Sequence, residues 1–180
     1  FTAGSVDVDV EAGAPQTLAP GAYEDVDVER NAMLTLTAGE YFFYRLELGQ
    51  ESELYFDLSA GPVVVNVVRL LEFGQAMMVT SSMGEAGSNM ISFNSLQTST
   101  LYINREATVI GSILAPEATV KLNSYANFRG SICGEDVDAH CSVGTLLHHS
   151  ATATLPKERD TYVHDDLSEL QPTTFELDQK

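Results

Sequence analysis

The sequence predicts an all-β fold: a single-stranded β-helix (β-solenoid) with coils of about 18–20 residues and an extended C-terminal tail. Three observations predict it. First, the chemistry repeats: Ala107 Thr108 Val109 Ile110 Gly111 Ser112 Ile113 returns 19 positions later as Ala126 Asn127 Phe128 Arg129 Gly130 Ser131 Ile132, and Asp7 Val8 Asp9 Val10 Glu11 returns 18 positions later as Asp25 Val26 Asp27 Val28 Glu29. Second, segments of about five residues alternate apolar with polar, the period of a half-buried strand. Third, glycine and proline punctuate those segments at Pro20 Gly21, Gly39, Gly49, Gly61 Pro62, Gly74, Pro116 and Gly130, supplying turns rather than helix caps.

Taken in order, Val8, Val26 and Leu46 are expected to form one inward ladder, with Val10, Val28 and Leu48 beside it. Leu34 over Leu54 and Leu36 over Phe56 line the next face. Such rungs bury their apolar side chains against the same positions one coil above and below, about 4.8 Å away. Strands are expected at Tyr41 to Leu48, Leu54 to Leu58, Val63 to Val68 and Thr108 to Leu114, and the only plausible helical stretch, one short helix at most, is near Val67 to Phe73. Seven or eight coils account for a solenoid domain over residues 1–150. From Ala151 the texture turns polar, and 151–180 reads as an extended tail in which Thr173 to Leu177 alternates like a strand.

The chain has 180 residues, 44% of them hydrophobic, enough for one folded domain. Nine Lys plus Arg against 26 Asp plus Glu give a net charge of −17, which repels nucleic acid and anionic lipid. No run approaches the ~20 apolar residues of a membrane span, and nothing at Phe1 reads as a signal segment, as expected of a mature product. The two cysteines, Cys133 and Cys141, read as a disulfide stapling the last coils, which argues for export. Free thiols, or a metal site with His140 and His148 or His149, are the alternatives.

The stretch Ala19 Pro20 Gly21 Ala22 Tyr23, its echo Ala38 Gly39 Glu40 Tyr41, then Leu46 Glu47 Leu48, Ala60 Gly61 Pro62 Val63 and Gly111 Ser112 Ile113 Leu114 Ala115 Pro116 resemble bacterial surface β-helix domains attached to pilus-assembly (PilX-type) proteins. The second half more distantly resembles bactofilins, β-helix proteins that polymerise end to end. The resemblance covers most of residues 15–150, and what it implies is architecture rather than an active site.

The repeat also stacks acids. Asp9, Asp27 and Glu47 on adjacent strands bring like charges about 5 Å apart, which destabilises a sheet unless something compensates them. With Asp7 and Asp25 beside them they make a candidate Ca²⁺ site, against the plainer reading of a solvated acidic face. Tyr41, Tyr44 and Tyr55 would offer an outward aromatic strip to a sugar, against ordinary strand packing. An ice-matched surface needs threonines stacked through successive coils, and Thr35, Thr37, Thr100, Thr108 and Thr119 are not expected to stack. No hydrolase, P-loop or dinucleotide motif is present, and no enzyme is expected.

The function expected from these readings is that of an exported structural protein at the cell surface or outside the cell. It would be a fibre, matrix or appendage subunit that associates with itself end to end, or by exchanging the strands containing Val6, Val8 and Val10, and Phe175 and Leu177. The alternative is a monomeric adhesin or glycan-binding module on a larger assembly.

Overall fold

The computed structural model describes residues 1–140, which form a β-solenoid of seven coils. Coil one comprises β1 (Val8–Val10), β2 (Pro15–Leu18) and the start of β3 (Gly21–Val28). The end of β3, β4 (Met33–Thr37) and the start of β5 (Gly39–Leu48) make the second. The third is completed by β6 (Glu53–Asp57) and the start of β7 (Val63–Phe73), and the fourth by β8 (Met78–Ser81) and β9 (Ile91–Ser95). β10 (Leu101–Ile103), β11 (Thr108–Leu122) and β12 (Asn127–Ala139) carry the remaining coils. Every pairing is parallel, so the long strands bend at corners and contribute to two or three faces.

The predicted inward ladders form. Val8 pairs with Val26 and Val26 with Leu46, while Val10, Val28 and Leu48 stack alongside. Leu34 pairs with Leu54 and Leu36 with Phe56. Apart from Val8 and Leu18 at the first coil, these rungs are almost fully buried. Fully burying a side chain of this size contributes about 1.5–3 kcal/mol, so a strand of three residues is held by its rungs rather than by its own propensity.

The coil length is less regular than the sequence repeat suggests. Val26 follows Val8 by 18 residues and Leu46 follows Val26 by 20, but Leu71 follows Leu46 by 25 and Leu101 follows Leu71 by 30. The longest coil holds a 3₁₀ segment, Gly84–Met90, that interrupts the repeat and separates its two visible registers.

The short helix expected near Val67 to Phe73 is instead the second half of β7. Its pairing with β5 shifts between Phe43↔Val67 and Arg45↔Leu70, so one residue, Tyr44, faces two, Val68 and Arg69. A bulge breaks strict alternation. It spaces the apolar residues Val67, Leu70 and Leu71 like one side of a helix, which explains the misreading.

One corner repeats with the same backbone on six coils. Gly13, Asn31, Glu51, Ala76, Glu106 and Tyr125 all have φ between 56° and 72°. At all of these except Ala76 the next residue's N–H donates three residues back, as Ala126 does to Asn123 (3.0 Å). A residue with a side chain pays about 1–2 kcal/mol in this left-handed region. Ala76→Gly is therefore expected to raise stability by about 0.5–1 kcal/mol after the glycine's larger unfolded-state entropy is counted. A urea titration showing no gain would contradict it.

Candidate functional site

Alternation carries each outward residue to a fixed column. Because Val8 and Val10 point inward, Asp9 points out, and the first sheet stacks Asp9, Asp27, Glu47 and Glu72 in consecutive rungs. The Ile103↔Phe73 register sets Tyr102 next, followed by Lys121 and Asp138. The neighbouring column runs Asp25, Arg45, Leu70, with Asp7 one coil before Asp25. All five carboxylates of the candidate Ca²⁺ site thus line one hollow of about 230 Å³, but Arg45 lines it too. The guanidinium lies 3.2 Å from Asp25 Oδ2 and forms a second ion pair with Glu47. Asp25 N–H donates to Asp7 Oδ1 (3.2 Å).

Arg45 supplies part of the charge compensation that the sequence reading gave to a cation. Among the described residues no three His, Cys, Asp or Glu side chains are arranged to hold a metal ion. The signal for Arg45 was present: it follows Asp25 by the same 20 residues that separate Val26 from Leu46. No sequence period marks Glu72, because the bulge and a longer loop put it 25 residues after Glu47.

Burial, then the charges of Asp9 and Glu29, hold the Asp27 carboxyl above its ordinary value of 3.8, with Arg45 partly opposing them. An acid with a raised folded-state pKa weakens the fold above that pKa, and the penalty fades as pH falls toward 3.8. Asp27→Asn is expected to stabilise the domain at pH 7 by a few tenths of a kcal/mol, ~0.3 after solvent screening. Its advantage should vanish below pH 3.8. Denaturant midpoints across that range check both the sign and the window.

The other sequence candidates disperse. Tyr41, Tyr44 and Tyr55 do not form a strip. Tyr41 is fully buried, its hydroxyl accepting from Thr37 N–H (2.9 Å) and lying 3.0 Å from the Leu18 carbonyl oxygen. Tyr44 sits at the bulge beneath the Arg69 guanidinium, 5.8 Å from its ring centroid, and Tyr55 faces out from the second sheet. Cys133 stacks beside Leu114 on the third sheet, partly buried, whereas Cys141, His148 and His149 lie outside the described residues. His140 ends the described chain, its N–H donating to the Leu122 carbonyl (3.1 Å). Of the assembly residues, Val6 is exposed, Val8 and Val10 form the first core rungs, and Phe175 and Leu177 lie outside the described residues.

The second sheet does stack two threonines: Thr17 pairs with Thr35, and the column continues as Tyr55 and Thr80. No sequence period marks Thr17, because the segment around it lacks apolar alternation. Of the threonines read from sequence, Thr37 pairs with Asp57, Thr108 with Met78 and Asn127, and Thr119 with Asp136. Farther along this sheet Ile110 is buried, and Arg129 forms an ion pair with Glu85 of the 3₁₀ segment. The inserted segment therefore bounds the open part of the face.

The repeated corner carries polar side chains on its later coils. Asn123 Nδ2 donates to Asn104 Oδ1 (3.0 Å), and Asn104 Nδ2 donates to Glu72 Oε1 (3.2 Å). Beside this ladder lies a hollow of about 570 Å³ lined by Gln75, Asn104, Arg105, Asn123, Ser124 and His140. Among the described residues no helix is long and apolar enough to cross a membrane.

Residues 10–145 match the family model described as "Putative Ice-binding-like adhesive domain". No curated protein and no solved structure matches the chain. The matched family is an adhesive one, and it lends no support to the pilus-linked or bactofilin resemblance.

Proposed function

Because this chain belongs to the ice-binding-like adhesive domain family, we propose that it works as a displayed adhesive module at a cell surface, without turnover, rather than as a subunit stacked end to end in a fibre. The family match and the solenoid fold fit a surface adhesin-like role. The observation that favours this choice over stacking is the charge on the first coil and on the last described one. Continuing the register from the last described coil to the first of another copy would set Asp138 on Asp9 and Asp136 on Asp7. Like charges directly opposite cost about 0.2–1 kcal/mol per pair. The first coil is blunted further by Pro15, which opens β2 without an N–H to donate. Charged and proline-bearing edges are devices that keep sheets from pairing with copies of themselves.

The threonine column offers little to ice. It is two rungs long before Tyr55 interrupts it, and Glu53 lies beside that tyrosine, accepting from the Thr80 hydroxyl (2.5 Å). Adhesion through other chemistry fits the surface better.

Two measurements test the proposal. Light scattering should give a monomer over a wide concentration range at low and high salt. Beads displaying the domain should be retained under flow on a surface-polysaccharide coating above the level of bare beads. Concentration-dependent filaments under the microscope, or no retention, would overturn it.

A further inference from the structure

We infer that the corner hollow beside Asn104 and Asn123 is a binding site for a neutral glycan, an inference that rests on the adhesive reading and names its ligand class. The lining is chemically selective. It gathers planar amides, a hydroxyl, an imidazole and a guanidinium, with both donors and acceptors present. The hollow, about 570 Å³, is open to solvent along the corner, a shape that lets an extended ligand lie across it.

The amide ladder is directional. Asn104 uses one N–H and its carbonyl within the ladder, and Asn123 uses one N–H. Among the described residues this leaves the second N–H of each amide and the Asn123 carbonyl without side-chain partners. These groups recur at the ~4.8 Å spacing of the coils. A chain of sugar rings presents hydroxyls that donate and accept along its length, which suits such a row better than a ligand with one functional group.

A second, independent observation is Tyr125. It occupies the left-handed corner at φ 62°, where a bulky side chain is least favoured, yet it is 60% exposed. It does not line the hollow itself but meets it through Arg105, whose guanidinium lies over one face of the ring, 5.9 Å from its centroid. The exposed remainder of the ring, next to these polar groups, offers apolar surface to a sugar ring.

Charge selects neutral sugars. Arg105 is already paired with Glu106 (2.8 Å), and the net charge of −17 repels uronic acids and other anionic sugars at long range.

The experiment is titration calorimetry of the whole chain with cellohexaose, laminarihexaose and mannohexaose, with hexaguluronate as the anionic comparison. At least one neutral hexasaccharide should bind saturably with a Kd of about 1 mM or tighter, and hexaguluronate should bind more weakly. Tyr125→Gly suits the left-handed corner, so the fold is kept while the aromatic face is lost. It should weaken binding about tenfold or more, as should Asn123→Ala. No saturable binding of any neutral hexasaccharide, or unchanged affinity in both variants with unchanged melting, would overturn the site. The bead assay separates the two readings: equal retention of wild-type and Tyr125→Gly beads overturns the hollow and leaves adhesion standing, whereas failure of wild-type beads overturns adhesion itself.

Discussion

Phe93→Ala is expected to lower the unfolding free energy by about 3–5 kcal/mol, the range for deleting a fully buried aromatic ring. Phe93 has no exposed surface and sits on β9, in the coil that carries the 3₁₀ insertion. Its ring meets Phe56 edge-on at 5.8 Å and Phe73 edge-on at 5.4 Å, and its rung neighbours are Val65 and Ile113. Here the solenoid core passes from the N-terminal register of the repeat to the C-terminal one. A stack stabilised mainly by nearest-neighbour contacts becomes two weakly coupled stacks when one interface is hollowed out. Denaturant unfolding should show both the loss of stability and a broadened or split transition. A single sharp transition displaced by less than about 1 kcal/mol would show that the neighbouring rings close the gap.

Gly130→Ala is expected to cost about 3 kcal/mol or more, and locally. Gly130 has φ 149° and stacks on Gly111, which has φ 126°. A methyl group at Gly130 would overlap the Gly111 carbonyl oxygen, a backbone atom held in the coil below. Unfavourable backbone at such φ costs about 1–3 kcal/mol before any overlap is counted. Because each coil is held chiefly by its neighbours, the last coils should fray while the first stay folded. Hydrogen exchange should show lost protection in β11 and β12 and unchanged protection in β3 and β5. Ser131→Ala is the comparison: it removes only the 2.9 Å hydroxyl contact with Ser112, worth about 1 kcal/mol or less. If Gly130→Ala proved as mild as Ser131→Ala, the glycine corner would have room that its geometry denies.

The parts of this molecule legible in its sequence are those governed by rung-to-rung stacking. Val8, Val26 and Leu46 could be aligned because an inward position tolerates only apolar side chains, and Asp9, Asp27 and Glu47 were carried along by alternation on the same strands. Arg45 was legible in principle, being spaced from Asp25 as Leu46 is from Val26, but a lone basic residue among acids carries no repeat of its own. The bulge at Val68 and Arg69 was not legible, since one extra residue turns period-two alternation into a spacing that imitates a helix. The hollow beside Asn104 and Asn123 was hidden for a different reason. Its residues share corner positions, where no hydrophobic period marks them, and Gln75 comes from a coil whose spacing to the next is 30 residues.

From the sequence alone follow an all-β solenoid, the identity of its inward ladders and the existence of an acidic one, because stacking at a fixed rung spacing forces the same chemistry to recur at each buried position. Tertiary structure alone decided how long each coil is, where Arg45 meets the acids, which part of the second sheet stays open and which polar residues meet at the corner. The physical reason is that stacking constrains the rungs and leaves the connections free. Loop length adds little to the free energy of closing a coil, so insertions accumulate there, and the surfaces they shape are set by three-dimensional proximity rather than by spacing along the chain.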